Sequence, residues 1–267
     1  MIEKKVVAAM ALFLMCSFAQ GQDQPKPATV GDTWRVKVVP YVWVPQISGH
    51  ATADVGGLGV RTPVDASFNE VVDELNYEAA GRVEAWKGNL GVFVDALFVG
   101  VGDDTHVLDR VDAHTNIKLA YVELGMGYRV LNTALGNDET HLLTVEVMGG
   151  GRYMYANVEV RNAPLPNPEY SKSWVDPFVG GRVRVGINER LAMSCRANAG
   201  GFGIGSCSKS VYDALVAVEY QLSERTTVEA GYRWMDIDKH FDRAGNGLRN
   251  QLDVRLDGPY IGLGFLF

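Results

Sequence analysis

No stretch of this chain is long and oily enough to cross a membrane as a helix. Its apolar runs stop short of the ~18–20 residues such a span needs. A basic excess is also missing. Over 267 residues the formal charge is −7 and the pI is near 5.3, which argues against a nucleic-acid binder with its basic stripe. There are three cysteines, with no CxxC and no Cys/His spacing for zinc. There is no P-loop, no GxSxG and no dinucleotide fingerprint in a strand–helix setting. Neither metal nor cofactor is therefore expected. What the chain has in quantity is glycine, 30 residues, with 11 tyrosines and 5 tryptophans.

The N-terminus reads as an export signal. Lys4 and Lys5 precede a short apolar core, Val6 to Phe18, and Ser17-Phe18-Ala19 fits a small-x-small cleavage site. Cleavage after Ala19 removes Glu3, Lys4 and Lys5 and takes the net charge from −7 to −8. Cys16 follows Met15 rather than a small residue, which argues against lipidation. The expected organisation is a signal peptide over 1–19, a flexible periplasmic lead-in over 20–33, and one domain over 34–267. Cys195 and Cys207 lie too far apart along a strand and its hairpin to form a bridge.

The domain alternates. In "SVYDALVAVEYQL", Tyr212, Ala214, Val216, Val218, Tyr220 and Leu222 share one face, and Asp213, Glu219 and Gln221 the other. That is the period of a half-buried strand. Ten such segments follow, roughly 34–45, 76–87, 89–101, 115–131, 139–160, 174–187, 190–203, 209–222, 225–240 and 249–267. Their connections alternate between short turns, such as Lys87-Gly88 and Ser223-Glu224, and mostly longer loops. In "SFNEVVDEL", Ser67 and Glu70 form a capping box, which predicts one short helix packed at the rim.

The face opposite the oily one is charged. Strand parity gives it Arg35, Lys37, Arg82, Arg129, Arg152, Arg182, Arg184, Arg196, Arg233 and Arg255, against Glu78, Glu84, Asp95, Glu123, Glu146, Asp176, Asp213, Glu219, Glu229 and Asp253. Ten groups of each sign suit the inside of a narrow barrel with lipid outside. Within this set Arg129, Arg152, Arg182 and Arg233 are expected to pair among Glu123, Glu146, Asp176 and Glu229. The fold expected is all-β, an antiparallel up-and-down transmembrane β-barrel of ten strands, with eight and twelve left open. Tyr77, Tyr128, Tyr153, Trp174, Tyr212, Tyr220, Tyr232, Trp234 and Phe265 suit its aromatic girdles. Placing Asp253 and Arg255 inside requires a bulge at Gly258-Pro259, because the apolar parity flips there from Leu252, Val254 and Leu256 to Ile261, Leu263, Phe265 and Phe267.

The segment "YIGLGFLF" resembles the C-terminal assembly signal of Gram-negative outer-membrane barrels, with Tyr260, Gly262, Phe265 and Phe267 in its places. "GGFGIGS" and "LDGPYIGLGFLF" look like segments of small proteobacterial outer-membrane proteins. The resemblance implies export to the cell outer membrane, contact with outer-membrane lipid and lipopolysaccharide, and delivery by periplasmic chaperones to the barrel-assembly machinery. It implies a non-enzymatic envelope role or a narrow pore, and leaves the oligomeric state open. A weaker likeness is to the ten-stranded omptin proteases, which activate water with Asp-His and Asp-Asp pairs near the outer rim. Asp236, Asp238 and His240 mimic part of that set, but they share the parity of lipid-facing Trp234 and so point away from the lumen. The pairs Asp104/His106 and Asp112/His114 repeat the Asp-x-His spacing. The alternatives to the envelope role are thus an outer-rim hydrolase and a barrel binding ligands with its external loops.

Overall fold

A computed structural model describes residues 33–55, 58–63, 65–106, 112–135, 141–161, 169–243 and 249–267. The expected signal peptide (1–19) and all but the last residue of the expected lead-in lie outside the described residues. Among the described residues twelve strands are present: β1 (Arg35–Trp43), β2 (Gln46–Val55), β3 (Leu58–Pro63), β4 (Leu75–Lys87), β5 (Leu90–His106), β6 (Asp112–Ala134), β7 (Leu142–Arg161), β8 (Glu169–Gly186), β9 (Leu191–Gly200), β10 (Ser210–Ser223), β11 (Thr226–Arg243) and β12 (Arg249–Leu266). One helix, α1 (Phe68–Glu74), lies between β3 and β4. No helix among the described residues is long and apolar enough to cross a membrane.

Ten strands close a ring. β1 pairs with β4, each strand from β4 to β12 pairs antiparallel with the next, and β12 returns to β1. Closure leaves the ring no open edge. The other two strands form a hairpin beside it: β2 pairs with the upper half of β12, and β3 pairs with β2. This hairpin fills part of the connection read from sequence as a loop with a single helix. Its alternation is diluted by Gly49, Gly56, Gly57 and Gly59, so the pattern is faint. The helix itself is capped as expected. The Ser67 backbone N–H donates to Glu70 at 2.7 Å, and Val71 is buried.

The chemistry of the two faces reverses along the barrel. Near the short turns the outer wall is oily, with Val92, Val94, Leu124, Met126, Val218, Tyr220 and Ile261 exposed, and the inner wall is charged. Towards the loops the inner wall turns apolar: Trp43, Leu97, Met154, Leu215, Met235, Ile237, Val254 and Leu256 form one buried cluster. There the outer wall carries Asp236, Asp238, Asp253 and Arg255.

This reversal corrects two expectations. No bulge occurs at Gly258-Pro259; the β11–β12 register runs unbroken from Phe265 to Gln251. Asp253 and Arg255 therefore point outward, and Val254 and Leu256 point in. Gly258 serves a close approach instead. A Cβ there would sit 2.1 Å from the Val44 carbonyl oxygen, where β1 gives way to β2 at Val44-Pro45. Trp174 also faces inward, with its parity-mate Asp176, and is no part of an outer girdle. The Tyr77 side chain lies outside the described residues.

Candidate functional site

The lumen is the site, and it is filled in layers. At the turn end Lys37 bonds Glu229 at 2.5 Å and lies 3.9 Å from Glu219, which also accepts from Arg184 at 2.9 Å. Beside them Glu146 takes Arg129 at 2.9 Å and Arg182 at 2.7 Å. Arg182 also forks onto both oxygens of Glu84 at 2.7 and 2.8 Å. The guanidinium of Arg129 stacks 4.2 Å over Trp86, whose indole N–H donates to Glu84 at 3.1 Å.

One level deeper, Arg82 joins Glu84 at 2.5 Å to Asp95 at 3.2 Å, and Arg196 reaches Asp95 at 3.2 Å. The Tyr41 hydroxyl donates to Asp95 at 2.7 Å. Arg82 lies 4.1 Å over Phe93, whose ring fills the space a side chain at Gly125 would need. Arg152 bonds Glu123 at 2.9 Å, and Arg233 forks onto Asp213 with two bonds of 3.0 Å. Both arginines are 0% exposed, so bulk solvent does not reach them. The eight bases of these layers, Lys37, Arg82, Arg129, Arg152, Arg182, Arg184, Arg196 and Arg233, face seven acids: Glu84, Asp95, Glu123, Glu146, Asp213, Glu219 and Glu229.

Above them lies the apolar cluster, and above that a loop folded into the mouth. Residues 201–209 turn through Gly201, Phe202, Gly203 and Gly205, all at positive φ. Ser208 is wholly buried. Its N–H and hydroxyl donate to Asp176 at 2.6 and 2.7 Å, and the Trp174 indole N–H donates to the same carboxylate at 3.0 Å. The Lys239 ammonium donates to the Ser206 carbonyl and sits 5.4 Å over the Trp174 ring.

The structure thus brings Arg129 to Glu146, Arg152 to Glu123, and Arg182 to Glu146 with Glu84. Arg233 takes Asp213 rather than any of the four acids expected for it, Asp176 holds the loop rather than an arginine, and Glu229 takes Lys37. Parity had marked Glu84, Asp95, Asp213 and Glu219 as inward, but parity does not choose partners.

Asp236, Asp238 and His240 lie on the outer wall, on the side of β11 that parity indicates. Arg255 reaches Asp236 at 3.2 Å, and Lys209 donates to Asp238 at 2.7 Å. The Asp238 carboxylate holds the Lys209 ammonium above the ordinary lysine range. His240 Nε2 lies 3.2 Å from Asp238. The side chains of Asp104, His106, Asp112 and His114 lie outside the described residues. Among the described residues no cluster of three or more His, Cys, Asp and Glu side chains is arranged for a metal. Cys195 and Cys207 are separate thiols.

No protein-family model matches the chain, and no curated protein matches it. Solved structures similar to it include the outer membrane protease OmpT from Escherichia coli, at 9% identity and a TM-score of 0.43 over 88% of this chain and 97% of that one. Ail, the attachment invasion locus protein of Yersinia pestis, is similar at 10% identity and 0.35, over 88% and 98%. Neisserial surface protein A is similar at 14% identity and 0.33, over 87% and 96%.

Proposed function

We propose that this chain is an integral outer-membrane β-barrel with a non-enzymatic, structural role in the envelope, and that its lumen conducts poorly. The observation that carries this reading is the stack of paired charges, apolar side chains and anchored loop across the whole lumen. A membrane strand needs only ~9–11 residues. On β10 the oily outer run spans Tyr212 to Leu222, and on β11 it ends at Trp234, beyond which Asp236 begins the polar wall. In this reading the turn end faces the periplasm, and the strands project past the lipid on the loop side, where the wall is built like that of a soluble barrel.

Export through the 1–19 signal, passage by periplasmic chaperones and insertion by the barrel-assembly machinery belong to the same proposal. Tyr260, Gly262, Phe265 and Phe267 would be the strand that machinery reads. Supporting it, β12 is the strand that closes the ring. Its Tyr260 stacks inward on Tyr41 at 5.0 Å, while Phe267 is left exposed beside Val36. The deciding experiment is single-channel recording of purified protein in planar bilayers. Small, infrequent conductance steps are expected. Large, steady currents like those of a general porin would overturn the closed lumen.

A further inference from the structure

The lipid-facing wall is not smooth. Across β9, β10 and β11 it carries a hollow of about 440 Å³, lined on its outer side by Ala197, Tyr212, Ala214, Trp234, Asp236 and Arg255. Register explains it. Ala197 lies opposite Ala214, and Ala214 lies opposite Trp234. Two methyl side chains stand abreast there and leave a low floor between taller neighbours. One step towards the loops, Tyr212 lies opposite Asp236, and Asp236 opposite Arg255. The hollow thus runs from an alanine floor, past two exposed aromatic rings, to an ion pair at its rim. Oily, then aromatic, then charged is the order in which a bilayer presents its own layers. An unfilled hollow forfeits the dispersion contacts of its lining, and a chain seated in it recovers them.

The rim selects the head group. Arg255 gives Nε and Nη2 to one oxygen of Asp236 at 3.3 and 3.2 Å, and its side chain is 64% exposed. The second carboxylate oxygen and the outer edge of the guanidinium face a ligand. Among the described residues the other cations of this wall already stand against acids. Lys209 is bound to Asp238, His240 lies 3.2 Å from Asp238, and His50 is opposite Asp253. Asp257, which accepts from Tyr232 and Gln46, adds a further carboxylate. A polyanionic head would meet these acids and be repelled. A head with both an ammonium and a phosphate finds Asp236 for the one and Arg255 for the other. We propose that the hollow binds one zwitterionic phospholipid with a primary ammonium, its acyl chain on Ala197 and Ala214 and its head on the Asp236–Arg255 pair. The site rests on the outer-membrane reading, because only in a membrane does this wall face lipid.

The test uses the full barrel inserted in vesicles that mix phosphatidylethanolamine, phosphatidylcholine, phosphatidylglycerol and lipid A. After extraction into mild detergent, native mass spectrometry should find one phosphatidylethanolamine retained per barrel. Ala214→Leu fills the floor with an apolar side chain and should lower that retention roughly tenfold, with heat-modifiability unchanged. Asp236→Asn with Arg255→Gln removes both rim charges and should abolish the preference among head groups. A wild-type barrel that carries no lipid overturns the proposal. So does retention unaffected by Ala214→Leu, or a preference for lipid A or phosphatidylglycerol. Each of these results in a folded, inserted barrel refutes the site and leaves the membrane reading standing. A chain that stays out of the vesicles overturns both.

Discussion

The sharpest test of the packed lumen is Asp213→Ala. Arg233 is 0% exposed and forks onto Asp213 with two 3.0 Å bonds. Removing the carboxylate leaves the guanidinium with a 3.3 Å contact to the Tyr41 hydroxyl and the face of Trp43. Breaking a buried pair by deleting one partner costs about 3–5 kcal/mol. The surviving cation–π stack offsets part of that, so the lower end, ~3 kcal/mol, is expected. This corresponds to a loss of roughly 100-fold in the folding equilibrium. Urea unfolding of the barrel in lipid vesicles reads it directly. Two companions calibrate the result. Asp236→Ala breaks the pair to Arg255, whose side chain is 64% exposed, and should cost no more than ~1 kcal/mol. Asp213→Leu with Arg233→Leu removes both charges and should return most of the lost stability, since apolar replacements of buried pairs are commonly neutral or better. If Asp213→Ala costs no more than the ~1 kcal/mol expected for Asp236→Ala, the inner charges are hydrated and the lumen is not packed.

Glu146→Ala strands Arg129 and Arg182 together, but both are about one-fifth exposed and Arg182 keeps Glu84, so a smaller loss of ~2 kcal/mol is expected in the same assay, with a measurable rise in leak conductance. Gly125→Val drives a side chain into the Phe93 ring, which a Cβ alone would meet at 2.5 Å, and should cost ~1–3 kcal/mol by overpacking; an unchanged midpoint would show that the ring is free to move. Phe267→Ser should leave little heat-modifiable protein in the outer membrane fraction and send the rest to periplasmic degradation; normal yield would refute the assembly-signal reading.

Sequence alone determined a good deal. The period of two in stretches such as Ser210–Ser223 fixes strands, because only a strand sends alternate side chains to opposite environments. Ten alternating segments gave the ten strands of the ring. The opposing charges told which face was not the oily one, and the capping box at Ser67 and Glu70 located the helix. Less was legible where glycine dilutes the pattern, as in β2 and β3.

Pairing needed the tertiary structure, because partners depend on register. Arg233 sits opposite Leu215, which brings Asp213 within reach diagonally, and no spacing in the sequence encodes that offset. The direction of the faces near the loops needed it too. Hydrophobicity reports that a side chain avoids water, not whether it does so against lipid or inside the barrel. Along β12, Ile261 is oily and points outward, while Val254 and Leu256 are oily and point inward, on one unbroken strand. The parity of the oily residues flips because the surroundings of the wall change with height, and height is a property of the closed barrel.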